Sequence, residues 1–419
     1  MKLHFYGGAS EVGRSAIMVR DERSFVFDYG IKIEDNQMDY PIKVPNVDAV
    51  LLSHAHLDHS GSVPVIYTEQ SVPTFGTEGT LMLSDLLLED ALSIAKKEHR
   101  HPRFHKKQLG TMVNRYVRMQ YEKPYGFGNY SISMYDAGHI CGSAITLVER
   151  HNAKENRRIV YTGDFKVQHQ YLHSGAKKVK SDVLIIESTY AGREHANRSQ
   201  LINSFIEMIK ETLDNGGTAL VPAFAIGRSQ EIIAMLYKHG LIEYAYLDGM
   251  AKEATKIIMK HPDAISDKEL LNNAAEGINW VEDRTQRRRI LEEPSIVVTT
   301  AGMLNGGPAI EYIKHMNSDS QVFLTGYQVE GTNGRTLLEK GYIVDNGNRI
   351  KVGVPVTKFD FSAHAGDADL HEYIRASAPN TVICVHGEAE ATREFAAGLR
   401  NEGFEAYAPK VGDTIELAD

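Results

Sequence analysis

Short apolar or alternating runs recur through the first third of the chain: LHFYGG (3–8), SAIMV (15–19), SFVFDYG (24–30) and VDAVLLS (47–53). Their length and their β-branched and aromatic content predict strands joined by tight turns. From about residue 79 to 97, apolar residues fall at three- and four-residue intervals, which predicts an amphipathic helix. Strand patterns return at YSISMYDAG (130–138), AITLVE (144–149), RIVYTGD (158–164) and DVLIIES (182–188).

Beyond Ser188 the texture changes. Helical segments such as SQLINSFIEMIKETL and RSQEIIAMLYKHG alternate with the buried-strand runs TALVPAF, SIVVTTAG and QVFLTGY, the pattern of a parallel α/β unit. From about 351 the chain resumes strands, VGVPVTKFDFS and NTVICVHGE. The expected organisation is a domain over 1–191 that resumes over 351–419, with a second domain over 192–350 inserted in it.

At roughly 150 residues per domain, 419 residues suit one to three domains and leave ample length for a large core. With 42% hydrophobic and 24% charged residues the composition is that of a folded soluble protein, and no run approaches the ~18 uncharged apolar residues of a membrane span. The start of the chain lacks the basic and apolar stretches of a secretory signal, and two cysteines, Cys141 and Cys384, make at most one bridge, so a cytoplasmic location is expected. Both cysteines are expected to pack as small buried hydrophobes rather than to bind metal. A net charge of −9 argues against a globally basic nucleic-acid binder but leaves room for a local positive groove. Histidines number eighteen, and several stand close to aspartates.

The sharpest signal is His54-Ala55-His56-Leu57-Asp58-His59, directly after the apolar strand VDAVLLS. Residues two apart in extended chain point the same way, so His54 and His56 can share one ion, while a turn into a helix lets Asp58 and His59 face a neighbouring ion. Further ligands are expected from other strand ends, where His139 (DAGHICG), Asp164 (YTGDF) and His386 (CVHGE) stand beside glycines.

HAHLDH, with Asp28 before it and His139 and Asp164 after it, resembles the metallo-β-lactamase fold. Glu187 in ESTY, His364 in FSAHAGD and His386 in VHGE resemble the three added motifs of the β-CASP nucleases, as do PAFAIGRSQE (222–231), TAGMLNGGPA (300–309) and GYQVEGTNGR (326–335) their inserted domain. Within that family the chain is similar to the nuclease subunit of the cleavage and polyadenylation factor and its short archaeal relatives. The resemblance implies an α/β fold, a metallo-β-lactamase αββα sandwich with an inserted parallel α/β β-CASP domain. It implies two zinc ions, one on His54, His56 and His139, the other on Asp58, His59 and His386, with Asp164 between them. Asp28 would orient ligands rather than bind metal, unless it merely caps the turn in DYG.

Two adjacent zinc ions can activate water near neutral pH and neutralise phosphodiester oxygens, and Asp58 counts with His364 and Glu187 among the groups at the reacting centre. His364 is the candidate acid for the departing ribose oxygen, with Glu187 orienting it; the products would carry 5'-phosphate and 3'-hydroxyl ends. For RNA, Arg228 and Ser229 are expected at a helix N-terminus facing phosphate, Arg335 among glycines, and Ser362 beside His364. The basic segments KKEHRHPRFHKK (96–107) and RTQRRR (284–289) could extend a positive track, although charge runs commonly form solvated faces. The expected partner is single-stranded RNA, with no membrane; analogy adds a homodimer or an RNA-processing complex. A DNA-directed β-CASP nuclease and a non-catalytic scaffold are the alternatives. His386, where DNA-directed relatives carry an apolar residue, and the full set of ligand residues weigh against them.

Overall fold

Strands whose every residue is buried need cover on both faces, and in the first unit that requirement sets the layering. The computed structural model describes residues 1–34, 37–151, 156–261 and 264–417. They form two compact units, one of Met1–His169, Ser174–Glu194 and Ala363–Asp419, the other of Gln170–His173 and His195–Ser362.

The first unit holds two seven-stranded sheets. One runs in the spatial order Thr414–Glu416, Lys2–Gly7, Ala16–Arg20, Ser24–Phe27, Ala49–Leu51, Thr74–Thr77, Tyr116–Met119; the other in the order Glu405–Tyr407, Thr381–Val385, Val183–Glu187, Arg157–Tyr161, Ala144–Arg150, Tyr130–Asp136, Tyr125–Phe127. Phe5, Phe25 and Phe27 of the first sheet meet Ile132, Tyr161, Ile185 and Ile383 of the second in one core. The alternate residues turn outward: Met18, Val26 and Val50 pack with Leu81, Leu88 and Leu109 of the helices Glu78–Lys97 and Lys106–Asn114. Leu184, Ile186, Val382 and Cys384 pack with Leu370, Ile374, Phe395 and Leu399 of the helices Asp367–Ser377 and Ala389–Asn401. The period of two along each strand thus yields four layers, helix, sheet, sheet, helix.

The strands Arg157–Tyr161, Val183–Glu187 and Thr381–Val385 are mutually parallel, and so are Ser24–Phe27 and Ala49–Leu51. Asp28, Asp164, Glu187 and His386 therefore lie at the C-terminal ends of their strands. The HAHLDH stretch turns into a single helical turn, Leu57–Ser60, laid against residues 28–31: Tyr29 N–H donates to His59 O (2.8 Å), Ile31 N–H to Leu57 O (2.9 Å) and Ser15 N–H to Asp58 O (2.8 Å). Gly30 makes this approach possible, since a Cβ there would stand 1.8 Å from Asp58 O.

The second unit has a six-stranded parallel sheet in the order Asn279–Trp280, Ala245–Asp248, Ser295–Thr299, Thr218–Pro222, Gln321–Leu324, Val356–Lys358. Val356–Lys358 pairs with Gln321–Leu324, so the run from 351 that the strand pattern assigns to the returning first domain continues this sheet, and the first unit resumes at Ala363. An apolar run alone does not say which sheet it joins. Residues 170–173 also belong here, because the buried Glu231 carboxylate accepts the N–H groups of Tyr171 (3.0 Å) and Leu172 (2.7 Å).

Gly30→Ala is expected to lower stability by about 1–3 kcal/mol through overpacking against the Asp58 carbonyl. Gly110→Ala, in the exposed interior of Lys106–Asn114 with no atom near its Cβ position, is expected to raise it by roughly 0.5–1 kcal/mol. Urea denaturation midpoints of the two variants check both signs.

Candidate metal centre

Three histidine rings are oriented by what their Nδ1 atoms find. His59 Nδ1–H donates to Asp28 Oδ2 (2.7 Å), His139 Nδ1–H to the Ala363 carbonyl (2.9 Å), and His54 Nδ1–H to Ser53 Oγ (3.0 Å), whose own proton goes to Asp28 Oδ2 (2.7 Å). In each ring the Nε2 lone pair is left for the centre. The Nε2 atoms of His54 and His59 are buried and make no hydrogen bond.

Asp164, itself buried, lies between two groups. Its Oδ2 is 3.6 Å from His54 Nε2 and 3.8 Å from His139 Nε2, while its Oδ1 is 3.4 Å from His59 Nε2 and 3.3 Å from His386 Nδ1. His56 Nδ1 and His139 Nε2 stand 3.2 Å apart, and His386 Nε2 and Asp58 Oδ2 3.4 Å. Ligand atoms about 2.0 Å from one tetrahedral ion stand about 3.3 Å from each other, so these spacings suit shared cations. Two four-residue groups of ligand atoms result, His54, His56, His139, Asp164 and Asp58, His59, Asp164, His386, and the donor set of imidazoles and carboxylates fits zinc.

The electrostatics agree with that division. Burial, with the neighbouring His59, keeps His54 well below the usual imidazole pKa; burial, with His364, does the same for His139, leaving both rings neutral as ligands must be. Burial also opposes charge on His59, but Asp164, Asp58 and Asp28 outweigh it and hold its pKa well above the usual value. A ring among so many carboxylates is a place for positive charge, whether proton or metal.

Asp28 is wholly buried, with φ of 57°, a left-handed conformation that a residue other than glycine adopts when its surroundings enforce it. It also accepts the Ser53 N–H (2.7 Å) on Oδ1 and the Tyr161 hydroxyl (2.8 Å) on Oδ2. Ser53, directly before HAHLDH, and Tyr161, three residues before Asp164, were not singled out from the sequence; their nearness to ligand motifs is the only signal they carry. His386 shares the left-handed backbone, with φ of 49°.

Beside the ligand groups, the His364 ring places Nδ1 2.9 Å from Oε2 of the buried Glu187, whose Oε1 accepts the Phe165 N–H (2.9 Å). Burial opposes charge on His364, but Glu187 and then Asp164 outweigh it and push its pKa up to about 9. Lys166, unnoticed in the sequence, is buried and donates from Nζ to the His364 carbonyl (2.9 Å). Cys141 and Cys384 are buried, and burial pushes both thiols up to about 12, far from the thiolate a metal needs.

Arg228, Ser229, Arg335 and Ser362, the single residues expected to meet RNA, lie in the second unit. Arg228 opens the helix Arg228–Lys238 and is largely buried, and Ser362 is buried. Ser229 is a correction: it is fully buried and its hydroxyl donates to the Phe224 carbonyl (2.7 Å), so it closes the turn before the helix instead of facing phosphate. Arg335, half exposed, pairs with Glu339 (2.6 Å). Within RTQRRR, Arg287 is locked by Asp248 and Glu311 at 2.7 Å each, whereas Arg284 is largely exposed.

Comparison with known proteins places this geometry in a family. Residues 229–337 match the Beta-Casp domain, 349–409 the Zn-dependent metallo-hydrolase RNA specificity domain, and 7–213 the Anti-Pycsar protein Apyc1 family. The probable RNase MJ4 of Methanocaldococcus jannaschii is 37% identical over all of both chains. RNase aCSPSF2 of Saccharolobus solfataricus is 34% identical over 99% of this chain and 85% of its own. The transcription termination factor FttA of Pyrococcus abyssi is 32% identical over 98% of this chain and 70% of its own. A crystal structure of a protein of unknown function from Enterococcus faecalis V583 shares the fold, with a TM-score of 0.63 over 99% of both chains at 14% identity. The ligand groups and the relatives that match along the full length agree: the chain belongs to the β-CASP family of metal-dependent ribonucleases, to its archaeal type akin to the cleavage and polyadenylation factor.

Proposed function

We propose that the chain is a zinc-dependent ribonuclease that hydrolyses phosphodiester bonds of single-stranded RNA in processing or decay, as an endonuclease, a 5'→3' exonuclease or both. The observation that carries this reading is Asp164, one carboxylate with an oxygen turned to each of two ligand groups. His54, His56 and His139 would hold one zinc, Asp58, His59 and His386 the other, and Asp164 both. When bound, the two ions supply water activated near neutral pH and positive charge for the phosphodiester oxygens.

The chain's own groups do the rest. Asp28, through His59 and Ser53, fixes the ring orientations on which ligand geometry depends. Asp58 is the ligand-type carboxylate with the most open side chain, 33% exposed, and so borders the space a substrate enters. Glu187 holds His364 by Nδ1; from Nε2 the proton passes to the departing ribose oxygen, and the partly exposed ring regains one from solvent. The neighbouring Glu187 carboxylate favours the protonated form of the ring. RNA is favoured over DNA by His386 and by relatives named as RNases. Arg228, Arg335 and Ser362 remain candidate backbone contacts.

With zinc-loaded protein and an RNA of mixed sequence, early mononucleotides that depend on a 5'-monophosphate would mark 5'→3' action, and discrete internal fragments would mark endonucleolytic action. An absence of cleavage in either form sinks the reading.

His364→Ala is expected to retain metal and lose about 10²–10⁴-fold in rate; an unchanged rate removes its acid role. Glu187→Gln takes away the charge that raises the His364 pKa, so the alkaline limb of the pH–rate profile should move to lower pH; a profile that stays put refutes the pairing. His386→Ala should lower bound zinc from two per chain towards one, as read by atomic emission, and cut activity with it.

A further inference from the structure

The segment 96–107, KKEHRHPRFHKK, carries six lysines and arginines against one glutamate in a chain of net charge −9. It joins the end of the helix Glu78–Lys97 to the start of the helix Lys106–Asn114. Phe104 pins it: the ring is buried with Leu109, Met112 and Tyr29 under the first sheet. The Arg103 guanidinium lies 4.3 Å from the centroid of the Tyr40 ring, a second hold. Around these two anchors Lys96, Lys97, His99, His101, His105, Lys106 and Lys107 are exposed.

Two observations separate this segment from an ordinary solvated face. Elsewhere in the same unit Lys2 meets Glu416, Lys43 Glu69, Lys177 Glu122 and Lys178 Glu372, while among the described residues the exposed Lys123, Lys180 and Lys410 are scattered single cations without such a pair; only in this segment do four lysines without a carboxylate fall within twelve residues. Among the described residues no carboxylate lies within ion-pair distance of Lys96, Lys97, Lys106 or Lys107, and Arg100 occupies the segment's Glu98. The second observation is local. Lys96 and Lys97 suit the negative C-terminal end of their helix, but Lys106 and Lys107 occupy the first turn of the next, where the helix end is already positive and no acidic residue is present. Cations placed against the helix dipole lose some stability, so helix formation does not explain them; a polyanion ligand does.

We propose that segment 96–107 is a contact surface for the phosphate backbone of single-stranded RNA. The proposal rests on the ribonuclease reading and adds a second place on the first unit that touches substrate. Spaced cations on an anchored loop recognise phosphates irrespective of sequence. Release of counterions then makes the affinity depend on salt, with about 0.7 in the slope of log K against log salt for each single-strand phosphate contact.

The test measures binding of a fluorescein-labelled 20-nucleotide oligouridylate across a potassium chloride series, in the zinc-loaded protein carrying His364→Ala to suppress cleavage. Lys96→Gln, Lys97→Gln, Lys106→Gln and Lys107→Gln together should flatten the slope by about 2–3 and weaken binding at least tenfold at low salt. The matched set Lys2→Gln, Lys43→Gln, Lys177→Gln and Lys178→Gln makes the same change in net charge on lysines already paired, and should leave the slope near that of the parent. Circular dichroism and bound zinc confirm that both sets fold. Equal loss in the two sets, or loss in neither, overturns the proposal while leaving the ribonuclease reading intact. No binding by the parent protein overturns both.

Discussion

A buried carboxylate has to be satisfied by hydrogen-bond donors, and Asp28 shows what that requirement organises. Four hydrogen bonds converge on it, from the Ser53 amide and hydroxyl, His59 and Tyr161. Bonds to a charged group contribute roughly 1.5–3 kcal/mol each, and a missing partner would leave a desolvated charge. The four donors come from the strand end before HAHLDH, from HAHLDH itself and from the facing sheet. Satisfying one aspartate thus fixes the separation of two sheets at the edge where the ligands emerge, and the left-handed backbone at residue 28 is the local strain that this arrangement outweighs.

The same economy runs through the ligands. His54, His59 and His139 each use Nδ1 to settle their orientation on protein and offer Nε2 to the centre, so the polar groups outside the centre double as its geometry. Glu187 extends the pattern: it accepts from the backbone beside Asp164 and from His364, which couples the position of the His364 ring to that of Asp164.

Much of this was legible in the chain. HAHLDH follows a buried strand, and the other ligand candidates each close an apolar run beside a glycine, so both the constellation and its place at strand ends could be read from spacing. Ser53, Tyr161 and Lys166 could not, because a serine, a tyrosine and a lysine are unremarkable until the fold brings them against a carboxylate or a carbonyl. Ser229 was misread for the complementary reason: a hydroxyl at a helix start suits a phosphate or the preceding turn equally well, and only burial decides. The return of the chain to the first unit at Ala363 was hidden because Val356–Lys358 is apolar enough for either sheet. Gly30 was silent too; its role depends on a carbonyl 28 residues away.

The ligand groups draw on residues from 54 to 386, and the strand Thr381–Val385 just before His386 pairs with Val183–Glu187 only after the whole inserted unit has been made. During synthesis the ribosome therefore carries a chain with HAHLDH long exposed but with the second ligand group lacking His386. Catalysis of the proposed kind is withheld until the chain has been made through His386. A nuclease assembled in this order cannot attack the message it is being read from before the residues up to His386 have been made.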